Sequence, residues 1–234
     1  GVSRNGGVNP LSDIRLLNNN IQGGYYGIYL YGNSNVDRNI GVTINGNIIN
    51  TIYHGIYGYY TDYNQLNKNV ITQHASSTVA YAAMYLGRGT AREIIGNKIK
   101  TNITSTNGVV YTTNFGSRSV AERLLVANNE LIIKTSTYTR GLYFGGGHNN
   151  IDVFHNSILL YNGAGTTNNA CLYMLDTGMN ISIKNNNFVN LLGTNTTATT
   201  YACYMSSASY ISSYTMDYNN YYTTGVNLLY AGSA

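Results

Sequence analysis

The chain has 234 residues, with 13 Lys and Arg against 9 Asp and Glu, a net charge of +4 and a charged fraction of only 9%. So few charges argue against a disordered tail, their scatter leaves no basic stripe for nucleic acid, and no apolar run approaches the roughly 18 residues of a membrane span. With 26 Gly, 24 Tyr, 35 Asn, one Pro and no Trp, the mixture suits strands and turns and suits helices poorly, because Asn and Gly are weak helix formers. The opening GVSRNGG has neither a start Met nor a signal peptide, which reads as a mature fragment or a segment of a longer protein.

From Ile14 onward one unit is written eight times, at steps of about 22 to about 33 residues. The first unit carries Leu16, Asn19, Ile21 and Tyr29, and the second Ile44, Asn47, Ile49 and Tyr57. Leu66, Asn69, Ile71 and Tyr85 follow, then Ile94, Asn97, Ile99 and Tyr111. The fifth unit has Val126, Asn129, Leu131 and Tyr143, and the sixth Val153, Asn156, Ile158 and Tyr173. Ile183, Asn186, Phe188 and Tyr204 make the seventh, and Met216, Asn219, Tyr221 and Tyr230 the eighth. An apolar residue thus stands three before and two after every asparagine. In several units the residue five before it is apolar too (Ile14, Val42, Leu124, Ile151, Ile181), which predicts a period-2 strand running into a turn. A second strand, centred on the tyrosine, follows 10 to 18 residues after the asparagine.

Units of two strands cannot bury an apolar face alone, whereas stacked units share one continuous core, and loops that bulge from a coil absorb the variable spacing. The pattern predicts an all-β chain: a parallel β-helix of about eight coils, right-handed by the chirality of parallel crossovers. It forms a single domain over residues 1–234 and, at about 4.8 Å per coil, a rod about 35 to 40 Å long. The asparagines are expected at one turn of every coil, tolerating a left-handed backbone and bonding their neighbours in a ladder. The residue before each tyrosine is apolar, from Ile28 to Leu229, so if that column faces the core, the tyrosine column faces out. Such a column would offer a ribbon of rings for stacking on sugars, unless the rings stabilise the sheet itself or lie under the variable loops. The ribbon is therefore the candidate ligand site.

Three stretches, VFHNSILLYNGAGTTNNACLYML, ISIKNNNFVNLLGTNTTATTYACYM and YTMDYNNYYTTG, resemble the β-helix repeat regions of large secreted and cell-surface proteins of Bacteroidota, cargo of type IX secretion, within the pectate-lyase-like β-helix superfamily. The resemblance runs from about residue 14 onward. It implies an extracellular or cell-surface location and little about activity; this chain shows no sorting domain.

Polysaccharide lyases and hydrolases are also built on parallel β-helices, and such enzymes need clustered carboxylates on neighbouring coils, with a basic partner in the lyases. Asp62 and Asp176 fall in coils far apart, Asp152 and Asp217 again in different coils, and Glu93, Glu122 and Glu130 do not pair by register, so no catalytic residue and no cofactor are assigned. Arg88 and Arg118 could form a small cationic patch, read as solvated loop charges. The GGGH stretch ending at His148 is a glycine-rich turn without a phosphate-loop context, and His54, His74 and His155 stand alone, so no metal site is assigned. Cys171 and Cys203 lack metal-ligand spacing and read as small core residues, with Cys203 inward and Cys171 outward. The threonines of GTNTTATT sit in one loop and do not recur, which sets aside an ice-binding face. LLYAGSA shows no cap, so further polypeptide or a chain stacked end to end is expected there. These readings describe a non-catalytic extracellular rod: an adhesin stalk, a filament component or a scaffold for a polysaccharide or other surface glycan. The alternative is a polysaccharide lyase or glycoside hydrolase.

Overall fold

The eight apolar residues from Leu16 to Met216 pair in register from strand to strand, all in parallel. The structure, a computed structural model, describes residues 2–4, 10–103, 108–117, 119–135, 139–163, 168–175, 178–193, 200–207, 211–225 and 227–232. Three parallel sheets run along it. The first sheet stacks eight strands from Arg15–Leu17 to Tyr214–Asp217, the second eight from Asn20–Gln22 to Asn220–Thr223, and the third nine from Val2–Arg4 to Leu229–Ala231. From Arg15 onward the chain visits the three sheets in turn and then repeats, which makes a β-solenoid of eight coils. Each coil therefore has three strands where the sequence suggested two: the stretch running through the asparagine is cut by a sharp corner.

That corner is made by the residue before the asparagine. Asn18, Gly46, Lys68, Gly96, Asn128, His155, Asn185 and Tyr218 all take φ between 54° and 67°, and the eight asparagines themselves do not. The expectation that the asparagine adopts the left-handed conformation is thus displaced by one position. The physical reason is directional. One left-handed residue turns the chain, and the next must be extended again if its amide is to point along the stack.

The amides form an unbroken ladder. Asn97 donates both its backbone N–H (3.0 Å) and Nδ2 (2.9 Å) to Oδ1 of Asn129, and its Nδ2 also donates to the carbonyl of Leu66 at 2.7 Å. Asn129 treats Asn156 and Ile94 the same way, and the pattern runs from Asn19 to Asn219. From Asn47 on every Oδ1 of the ladder accepts from the coil before it, and every Nδ2 before that of Asn219 donates to the coil after it. Buried amides are tolerated here because they are fully bonded.

Inside, Ile28, Ile56, Met84, Val110, Leu142, Leu172 and Cys203 are buried as the alternation predicts. The residue before each is buried as well: Gly27, Gly55, Ala83, Val109, Gly141, Cys171 and Ala202. The chain bends as it enters the third sheet, so that two successive residues face the core. Little room is left at the first of them. A Cβ on Gly55 would lie 2.5 Å from Ile71 Cγ2, and one on Gly141 would lie 2.5 Å from the Cys171 carbonyl. Cys171 occupies this small-residue column, fully buried in the same core cluster as Cys203, so its expected outward position is corrected.

Candidate functional site

The tyrosine column exists as read. Tyr29, Tyr57, Tyr85, Tyr111, Tyr143, Tyr173, Tyr204 and Tyr230 pair in register along the third sheet. Neighbouring rings stack with centroids 4.5 to 5.4 Å apart and planes within 21° of each other. Offset stacks of this kind are worth about 0.5–1.5 kcal/mol per pair beyond burial. The faces are therefore taken by neighbouring rings, and only edges and hydroxyls turn towards solvent. Tyr143 and Tyr173 are buried outright, and Arg140 lies over them with its guanidinium carbon 3.6 Å from the Tyr173 ring centroid and 5.1 Å from that of Tyr143. The expected ribbon of open ring faces is thus a closed stack. Burial, and then the neighbouring phenols, push the Tyr204 hydroxyl up to about 12, with Tyr85 raised for the same reasons.

Near the start of the stack Tyr25, Tyr26, Tyr53 and His54 add edge-on and tilted contacts, the closest being Tyr53 to His54 at 3.8 Å. His54 donates from Nδ1 to the Ala82 carbonyl at 3.2 Å, and His148, beyond the turn formed by Gly146 and Gly147, donates from Nδ1 to the Phe115 carbonyl. Both are buried, and desolvation lowers each to about 4. Each therefore stays neutral in the fold until pH nears 4, whereas the unfolded chain protonates it from about 6.5 downward, so its stabilising contribution is complete above pH 6.5 and is lost as pH falls through about 4. The limit is about 3 kcal/mol per group. Urea unfolding at neutral pH and near pH 4 checks this: His148→Gln should lose markedly less stability on acidification than the parent, and equal losses would refute the assignment.

Several of the carboxylates are engaged with cations and amides. Asp62 accepts from Arg38 (2.9 Å) and from both the N–H and the hydroxyl of Thr90 (3.0 Å each). Arg123 chelates Asp152 at 2.6 and 2.7 Å, Arg92 holds Glu122, and Glu93 accepts from Gln65 and Asn67. Glu130 stands opposite Lys98 and Asp217 opposite Lys184 in the sheet registers. Among the described residues no three His, Cys, Asp or Glu side chains are close enough to share a metal ion, and no helix is long and apolar enough to cross a membrane. Arg88 donates to the Tyr60 hydroxyl at 2.9 Å; Arg118, Asp176 and most of GTNTTATT lie outside the described residues.

One feature escaped the sequence reading. Three clefts of about 600, 530 and 480 Å³ adjoin one another, the first among the loops that lead into the first sheet and the other two on that sheet's outer side. Arg38 and Thr90 line the first two, and Asp13, Gly41 and Asn64 line the second and third, so the clefts open into one another as a single trough. Part of its wall is a register column, Arg15, Thr43, Gln65 and Glu93, each four before its asparagine, and the rest comes largely from loops. Set against known protein families, curated proteins and solved structures, the chain matches none of them.

Proposed function

We propose that the chain is a non-catalytic rod of a secreted or cell-surface protein, serving as an adhesin stalk or filament component. The observation that carries this reading is the pair of unbroken ladders, amide and aromatic, that recur in every coil. A catalytic or docking site needs to be built once; bonds remade at each rung serve the length of the object. Every coil offers the same donor row to the coil after it, so further repeats, or a second copy stacked end to end, extend the rod by the same bonds. The resemblance of its repeats to those of secreted surface proteins supports the location. The enzyme reading has the trough in its favour, but two of its three acids, Asp62 and Glu93, are already held by arginine, threonine and amide donors.

The test is a depolymerisation screen against neutral and acidic polysaccharides, beside force spectroscopy on the chain held between flanking handles. A stalk predicts no chain cleavage and coil-by-coil unravelling at high force. Release of new chain ends, abolished by Asp62→Asn, would replace this reading with the enzymatic one.

A further inference from the structure

We infer that Cys171 and Cys203 are a cross-linking site: when the chain folds in an oxidising compartment they close a disulfide that staples the sixth coil to the seventh. The strand registers bring them together. Leu172 pairs with Cys203 and Ala170 with Tyr201, so Cys171 stands opposite Ala202, one step along the strand from the residue facing Cys203. A strand spacing of about 4.8 Å and a rise of about 3.3 Å per residue put the two Cα atoms about 6 Å apart. That lies inside the range of about 4.4–6.8 Å that a disulfide spans. The bend into the third sheet turns both side chains inward, and both are fully buried in one core cluster.

The two columns set this pair apart from ordinary core residues. Cys203 is the smallest side chain in a buried column otherwise made of Ile28, Ile56, Met84, Val110, Leu142 and Leu172. Cys171 is larger than Gly141 and Ala202, which flank it in its own column. The space given up at one position is thus taken at its diagonal neighbour in the adjacent coil, as close packing requires. Volume compensation alone needs no sulfur, whereas here both positions carry it. The Cys171 thiol makes only a weak hydrogen bond, to the Ile158 carbonyl at 3.7 Å, so losing its proton gives up little.

The bond forms before the coils close. Burial raises the pKa of both thiols, and the nearness of Cys203 raises that of Cys171 further, so the finished rod offers no thiolate to react. In the open chain one cysteine thiolate attacks an external disulfide, such as oxidised glutathione or that of an oxidoreductase, and the second displaces the mixed disulfide. One S–S bond breaks and one forms. The two cysteines are oxidised, the external disulfide is reduced to two thiols, and those thiols carry off the two protons. The cross-link closes a loop of one whole coil and so restricts the unfolded chain.

The test is to produce the chain in the oxidising periplasm and, separately, in the reducing cytosol of a bacterial host, the second kept under dithiothreitol. Cys171→Ala, which places in its column a residue already found there, is made in both. Free thiols are counted by alkylation after denaturation, masses are measured, and urea unfolding is followed by circular dichroism. The periplasmic parent should be monomeric, have no free thiol, weigh two hydrogens less than the cytosolic form and unfold at a urea concentration about 1 M higher. Cys171→Ala should show one free thiol and the same midpoint from either compartment. Two free thiols in the folded periplasmic parent, glutathione adducts, cross-linked dimers, or a midpoint no higher than that of the reduced form would each overturn the inference. None of these outcomes bears on whether the rod is a stalk or cleaves polysaccharide, so the two proposals fail separately.

Discussion

Asn129→Ala is expected to lower the stability of the rod by on the order of 4 kcal/mol, because the loss leaves buried partners unbonded. Oδ1 of Asn129 is the acceptor for the backbone N–H and the side-chain amide of Asn97, and its Nδ2 serves Ile94 and Asn156. Alanine orphans two buried donors and a carbonyl at once. Asn19→Ala is the control. Its own Nδ2 bond to Asn47 is lost while its N–H bond to the same oxygen survives, so about 1 kcal/mol is expected. Urea unfolding of the two variants reads the difference directly; equal effects would mean that the ladder contributes little to stability. Asn129→Asp adds a signature in pH. The second carboxylate oxygen would face the Ile94 carbonyl and the Asn156 oxygen, which favours the protonated form and raises the folded pKa above the unfolded one. Relative to the parent at each pH, that variant should be least damaged in acid and lose stability as pH rises, the opposite of the buried histidines.

Gly58→Ala is expected to be the most damaging glycine substitution that can be rescued. A Cβ there would sit 1.7 Å from the hydroxyl oxygen of Tyr63, whose side chain is fully buried and cannot swing away. Overpacking of this kind costs about 3 kcal/mol. In a Tyr63→Phe background the nearest remaining ring atom is Cζ at 2.9 Å, and the cost of the same substitution should fall to about 1 kcal/mol. A double-mutant cycle therefore predicts a coupling of about 2 kcal/mol. Additive losses would show that the Tyr63 hydroxyl does not sit over Gly58.

The residues that made the fold legible were those whose role repeats without substitution of character. The Leu16, Ile21 and Tyr29 columns pair in the registers their spacing implied, since each position is apolar or aromatic in all eight coils and period-2 alternation fixes its face. The left-handed corner was not legible, because Asn, Gly, Lys, His and Tyr all occupy it; what is shared there is a backbone angle, and only Gly46 and Gly96 hint at it. The inward bend at Cys171 left a fainter trace, a column of Gly, Ala, Val and Cys where strict alternation would place an outward side chain. For the candidate site the tyrosines were found and their accessibility was not. Whether a ring face is open depends on the 4.5 to 5.4 Å spacing to the next ring, and on Arg140 reaching across from its own strand. The trough was hidden because the column that walls part of it, Arg15, Thr43, Gln65 and Glu93, changes character at every coil, and the rest of the wall comes largely from loops.

The amide ladder gives the rod a direction. In a parallel sheet the strands' own dipoles lie across the axis and largely cancel along it, but the side-chain amides from Asn19 to Asn219 all turn oxygen towards one end and nitrogen towards the other. Partial charges at the tips therefore do not cancel: the tip on the Asn219 side is electropositive and the tip on the Asn19 side electronegative, as at the two ends of a helix. Two such rods brought together along their axes attract head to tail and repel head to head. Any fibre built from them is polar, with one kind of tip exposed at each end.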